Sequence, residues 1–139
     1  FWTEGMIGRK IIFFDIQDMS IIKSINLPHE PHGEKVIVSP DGSKLYAARG
    51  PMGGESAVIT IFNSSNLEII NTIEIPYIGM QRRGMTGFVE ADFDEAKRIM
   101  YLTGFTSIYK IDMDNDKLIG IIDLIDLYES QNINGWWML

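Results

Sequence analysis

A chain of 139 residues is one domain's worth of sequence, long enough to bury a core, and 45% hydrophobic with 22% charged residues excludes a disordered segment. A net charge of −7 with scattered basic residues excludes the clustered Lys and Arg that bind a phosphate backbone, so no nucleic-acid partner is expected. Cysteine is absent, which removes disulfides, thiolate metal sites and cysteine nucleophiles, and no apolar run approaches the ~20 residues of a membrane-spanning helix.

The chain opens on Phe1-Trp2-Thr3, which aligns with Met100-Tyr101-Leu102 and reads as the tail of a strand pair begun elsewhere. Strands are then expected at 10–15 and 20–27, separated by a polar turn at Asp15. Ile21, Ile22 and Ile25 also permit a helix, but their β-branched density and the stop at Pro28 favour a strand. Pro31-His32-Gly33 opens the next pair, 35–39 and 44–49, around the turn Ser39-Pro40-Asp41-Gly42-Ser43. There Pro40 presets φ, Asp41 bonds its own backbone and Gly42 accepts a positive φ.

Arg49–Ser56, with Gly50, Gly53 and Gly54, lacks the Lys-Ser/Thr of a phosphate loop and reads as an insertion. Strands at 57–62 and 67–75 flank Asn63-Ser64-Ser65, an N-glycosylation triplet on paper. Met85-Thr86-Gly87 opens strands at 87–91 and 98–103, with D-F-D-E-A-K-R standing where S-P-D-G-S-K stood. The last pair, 107–112 and 117–124, brackets Asp112–Asp116. That acidic run has Lys117 where an EF-hand loop needs Gly and has no bidentate Glu, so it reads as a solvated turn. Ile133-Asn134-Gly135 opens a further strand carrying Trp136 and Trp137, and both chain ends are expected to continue into something longer.

Three of these hairpins are copies of one another. With Asp15, Asn63 and Asp112 aligned, Ile22, Ile70 and Ile119 fall at +7 and Ile25, Ile73 and Ile122 at +10. Leu27, Ile75 and Leu124 follow at +12, and the copies are 48 and 49 residues apart with no gap. The second strand of each copy is read as period-two alternation, and each Asx residue is expected to cap its turn. About four strands per repeat of this length lies in the range of propeller blades. An antiparallel sandwich shares the turn spacing but needs no gap-free repeat.

The unit P-H-G-E-K-V-I-V-S-P-D-G-S-K-L-Y-A-A followed by V-I-T-I-F-N-S-S-N-L-E-I-I-N-T-I-E-I-P resembles the YVTN-type β-propeller repeat over nearly the whole chain. It departs from that pattern at Ala47-Ala48-Arg49 and at Phe93-Asp94-Glu95. The resemblance implies an all-β chain forming about three four-stranded antiparallel blades of an incomplete ring. The expected divisions are a blade remainder over 1–31, blades over 32–84 and 85–132, and the start of another over 133–139.

In such a ring the loops Pro28–His32, Pro76–Thr86 and Ile125–Asn134 crowd the mouth of the channel, the default binding site by shape. They bring His29, His32, Arg82, Arg83 and Tyr128 as binding candidates, with Glu30 and Tyr77 nearby. His32, Arg82, Arg83 and Glu129 are the candidates for acid–base chemistry on an anionic substrate. Pro28-His29-Glu30-Pro31-His32 is similar to a stretch of the lactonase-like propellers, but Ala48–Met52 stands where those enzymes carry Asp-Leu-Gly-x-Asp. His-x-x-His in a loop, without a third placed ligand, does not specify a metal, so none is assigned, and no cofactor is expected. His32 is read first as part of the repeat's own entry turn, Pro31-His32-Gly33, ahead of any chemical role. The expectation is a non-catalytic scaffold or binding segment whose partners are further blades or a second chain, in an extracytoplasmic setting. The alternative is part of a propeller enzyme, a lactonase-like hydrolase or a dehydrogenase subunit.

Overall fold

Ten β-strands and one short helix make up the described part of the computed structural model, which comprises residues 10–15, 17–27, 35–50, 56–75, 87–104 and 106–130. The strands are β1 (Lys10–Phe14), β2 (Ile21–Asn26), β3 (Lys35–Val38), β4 (Lys44–Arg49) and β5 (Ala57–Asn63). They continue as β6 (Ile69–Ile75), β7 (Phe88–Asp94), β8 (Ile99–Gly104), β9 (Ser107–Asp112) and β10 (Lys117–Asp123), followed by α1 (Leu124–Ser130). They form three antiparallel sheets, β1-β2, β3-β4-β5-β6 and β7-β8-β9-β10, in which neighbours in space are neighbours in sequence. The strands fall where the alternation placed them, with β7 running on past Ala91 to Asp94.

The chain divides into two compact units, Phe1–Phe88 and Val89–Leu139. In the first, β1-β2 packs against β3–β6. Ile11 and Leu27 share a buried cluster with Leu45, Ala47 and Phe62, and Phe13, Ile25, Val36 and Leu67 close over it. The pairing explains the grouping, because residues directly opposite in an antiparallel ladder share a face. Ile11 stands opposite Ile25, and Leu45 opposite Phe62. Each such side chain contributes on the order of 1.5–3 kcal/mol by leaving water. The opposite face of the same sheet is also buried, with Tyr46, Ala48, Ile59 and Ile61 wholly inaccessible.

In the second unit the alternation has one dry side. Met100 pairs with Ile111 and Leu102 with Tyr109, and all four are buried. The other side pairs Tyr101 with Lys110 and Thr103 with Ile108, and these four are half-buried. The two four-stranded sheets share one register. Lys44 faces Asn63 in the first as Ile99 faces Asp112 in the second. Ser64 N donates to Ser43 O at 3.0 Å, and Met113 N donates to Arg98 O at 2.9 Å.

The structure corrects the expected end of the last hairpin and the loop that follows it. Strand β10 stops at Asp123, and Leu124–Ser130 is a helix rather than the end of a strand and the start of a loop. The Asp123 carboxylate accepts from Asp126 N at 3.4 Å, an N-cap to the third helical residue. Asp126 adds a negative charge in the first turn, where the helix dipole favours one. Leu124 N donates to Thr106 O at 2.8 Å and so ties the helix start to β9's approach.

A second correction concerns the isoleucines at +7. In each repeated hairpin the ladder skips one residue of the second strand. Phe13 pairs with Lys23 and Phe14 with Ile21; Ile61 pairs with Asn71 and Phe62 with Ile69; Ile111 pairs with Leu118 and Lys110 with Gly120. The skipped residues are Ile22, Ile70 and Ile119. They are the extra residues of three equivalent β-bulges, and all three are exposed. Uninterrupted period-two alternation therefore fails at the same place three times.

Candidate functional site

The repeated element that carries polar side chains is the hairpin tip. Asp15 Oδ1 accepts from Gln17 N at 2.8 Å, Asn63 Oδ1 from Ser65 N at 2.9 Å and Asp112 Oδ1 from Asp114 N at 2.9 Å. A second bond is shared by two of the turns, with Asn66 N on Asn63 Oδ1 at 3.4 Å and Asn115 N on Asp112 Oδ1 at 3.0 Å. The fourth residue after each Asx takes the left-handed conformation: Met19 at φ 60°, Leu67 at 62° and Asp116 at 52°. This residue turns the chain back so that Met19 N reaches Asp15 O and Leu67 N reaches Asn63 O, both at 2.8 Å.

The β7–β8 turn departs from its expected form in an informative way. Lys97 N donates to Asp94 Oδ1 at 3.0 Å, and Arg98, four residues after Asp94, has φ 57°. It is thus an Asx-led turn of the same left-handed exit, whereas β3–β4 uses another device. There Gly42 takes φ 70°, Gly42 N donates to Ser39 O at 2.8 Å, and Asp41 Oδ1 accepts from Ser39 Oγ, Ser43 N and Ser43 Oγ. Ser64 Oγ donates to the Gly42 carbonyl at 2.5 Å and links the β5–β6 turn to the β3–β4 turn of the same sheet.

The electrostatics follow from these contacts. Asn115 bonded to Asp112, Lys97 bonded to Asp94 and Ser20 bonded to Asp18 each hold the carboxyl below its ordinary range. Lys97 is held above its ordinary value by the same Asp94 contact, at 2.7 Å. Burial pushes the Tyr109 hydroxyl up. These carboxylates are held ionised, the opposite of what a general acid needs near neutral pH. Lys110 Nζ lies 5.8 Å from the centre of the Tyr101 ring, within cation–π range. Arg49 is buried and donates through Nη2 to the Ser56 carbonyl at 3.4 Å.

Between the tips and the cores lie exposed aliphatic side chains. Ile21 and Ile22, Ile69 and Ile70, and Ile119 lead the outer strands β2, β6 and β10 at the bulges. These strand starts are the surface that sequence reasoning missed. The signal was the pair of adjacent isoleucines, since two neighbours in an alternating strand cannot both face inward.

Of the residues expected at a channel mouth, His29, His32, Arg82 and Arg83 lie outside the described residues, as do Glu30 and Tyr77. Tyr128 and Glu129 fall in α1. The expected strand starting at Gly135 and the opening Phe1-Trp2-Thr3 are likewise outside. Among the described residues, no three His, Cys, Asp or Glu side chains gather where they could hold a metal ion, and no helix is long and apolar enough to cross a membrane. No protein-family model matches the chain, and no curated protein matches it.

Proposed function

We propose that the chain is a β-propeller segment that acts as a non-catalytic scaffold or binding module within a larger protein or assembly. The observation that carries the reading is the threefold recurrence of one hairpin, with the same Asx cap, the same left-handed fourth residue and the same bulge. Meander sheets built on such a repeat, with one sheet packed face to face on the next as in the first unit, suit radial repetition. The polar side chains of the tips hold turns together, and the exposed aliphatic groups at the bulges suit contact rather than turnover. An extracytoplasmic setting, with further blades or a second protein chain as partners, belongs to the same reading.

Spin labels at Gln17, Ser65 and Asp114, equivalent positions of the three hairpins, test the architecture. Successive blades of a ring require the 17–65 and 65–114 distances to be equal and the 17–114 distance to be shorter than their sum. Unequal spacings, or a collinear set, overturn the propeller. Turnover of a panel of lactones that His32→Ala abolishes overturns the non-catalytic part.

A further inference from the structure

Asn63 is the only asparagine of the chain followed, two residues later, by a hydroxyl, in Asn63-Ser64-Ser65. That triplet is the acceptor pattern for an N-linked sugar and has meaning only on an accessible surface turn. Asn63 ends β5 at such a turn, with Asn63 and Ser64 half-buried and Ser65 and Asn66 exposed.

The two ends of the Asn63 amide do different things. Its oxygen accepts from Ser65 N at 2.9 Å, Ser65 Oγ at 2.6 Å and Asn66 N at 3.4 Å. Backbone N–H groups only donate, so these contacts fix which end of the amide is the oxygen. The nitrogen makes no hydrogen bond among the described residues and is open to solvent. The neighbouring amides differ: Asn66 Nδ2 donates to Glu68 Oε2 at 2.9 Å, and Asn115 Nδ2 to Asp112 Oδ2 at 2.8 Å. The equivalent positions of the other hairpins are Asp15 and Asp112, which cap their turns with no nitrogen at all. At residue 63 the oxygen holds the fold and the nitrogen is spare.

We propose that Asn63 Nδ2 is an acceptor for an N-linked oligosaccharide. The inference rests on the extracytoplasmic setting proposed above, because the donor is a polyprenyl-pyrophosphate-linked oligosaccharide used on that side of a membrane. Nδ2 bonds to the anomeric carbon of the donor sugar and yields one of its two protons to a base of the transferase. The bond from that carbon to the pyrophosphate oxygen breaks, and the lipid pyrophosphate leaves with the electron pair. The product keeps the amide oxygen, so all three turn bonds survive the modification. The adjoining β3–β4 turn is uncrowded too, since a Cβ at Gly42 would meet no atom within 4 Å.

The test sends the whole chain, behind a cleavable secretory signal, through a glycosylating host. Secreted and retained chain are both digested and read by mass. Wild type and Ser65→Thr should carry sugar on Asn63, and Ser65→Ala and Asn63→Gln should carry none. Bare Asn63 in the wild type, or sugar that persists in Ser65→Ala, overturns the proposal. Enzymatic release of the sugar converts Asn63 to Asp, which keeps the turn acceptor. The glycosylated chain should therefore unfold at a urea midpoint no lower than the released chain, and a lower one overturns the spare nitrogen. Fractionation of the source cells reads the compartment separately. A chain modified in the glycosylating host but cytosolic in its own cells overturns the extracytoplasmic setting alone.

Discussion

Leu67 donates its backbone N–H to the carbonyl of Asn63 at 2.8 Å, while its own side chain packs against the buried cluster of Leu45 and Phe62. One residue thus closes the turn and caps the core. Asn63, in return, takes three donors on a single oxygen: Ser65 N, Ser65 Oγ at 2.6 Å and Asn66 N. Replacing Asn63 with Ala leaves those turn donors to water and should cost about 1 kcal/mol, whereas Asn63→Asp keeps the acceptor and should cost less. Urea denaturation of the three proteins checks the order.

The left-handed fourth residue gives predictions of opposite sign. Met19 is largely exposed at φ 60°, so Met19→Gly relieves backbone strain and removes little packing. It should be neutral or stabilise by up to about 1 kcal/mol, because the greater entropy of an unfolded glycine offsets part of the gain. Leu67→Gly relieves the same strain but uncovers the cluster, and should destabilise by about 1–3 kcal/mol. Thermal midpoints that move in the same direction for both would contradict the assignment of roles.

The bulges separate isoleucines that the linear sequence makes look alike. Ile70 is exposed at a bulge and Ile75 is buried. Ile70→Ser should therefore stay within about 0.5 kcal/mol of wild type. Ile75→Ala should lose about 2–5 kcal/mol through lost transfer energy and the cavity left behind. A large loss at Ile70 would mean that the skipped residue is not the one facing solvent.

Acid stability follows from the depressed carboxyls. With Asp112 and Asp94 held below their ordinary range by Asn115 and Lys97, the folded state binds fewer protons than the unfolded chain. Their contribution is complete above the ordinary carboxyl range and disappears as the pH falls through the depressed values. Asp112→Asn retains the acceptor without the charge, as Asn63 does in its own hairpin, and should flatten this part of the urea-midpoint profile below about pH 4.

The alkaline limb has the reverse sign. Burial holds Tyr109 neutral, so its folded value lies above that of the unfolded chain. Stability is fully present below the ordinary tyrosine value of about 10 and falls as the pH rises through the folded value. Tyr109→Phe removes that loss, and its urea midpoint should change less than the wild type's between pH 9 and pH 11, pH values set by the roughly 10 of a free tyrosine.

Most of the strand order was legible because its signals are local and repeated. Asp15, Asn63 and Asp112 mark turns by side-chain chemistry, and Pro40-Asp41-Gly42 marks another. The bulges were less legible because Ile21-Ile22 and Ile69-Ile70 are both apolar. Which of the two is skipped depends on pairing with β1 and β5, not on hydrophobicity. Helix α1 escaped notice because Leu124–Ser130 is too short for a period to declare itself, although Asp123 three residues before Asp126 was a cap signal. Of the channel-mouth candidates, His29, His32, Arg82 and Arg83 lie outside the described residues.

Three bulges at equivalent places also decide the direction in which this fold can grow. A straight outer strand offers an even row of N–H and C=O groups to any passing chain, and a bulge breaks that row and increases its twist. Strands β2, β6 and β10 are each interrupted near their start. Sideways extension by a fifth strand is thereby discouraged at every repeat, and additional mass is steered onto the flat sides of the sheets. Association of this architecture is accordingly expected to be layered and side-chain-mediated, with amyloid-like pairing of backbones disfavoured by the sequence itself.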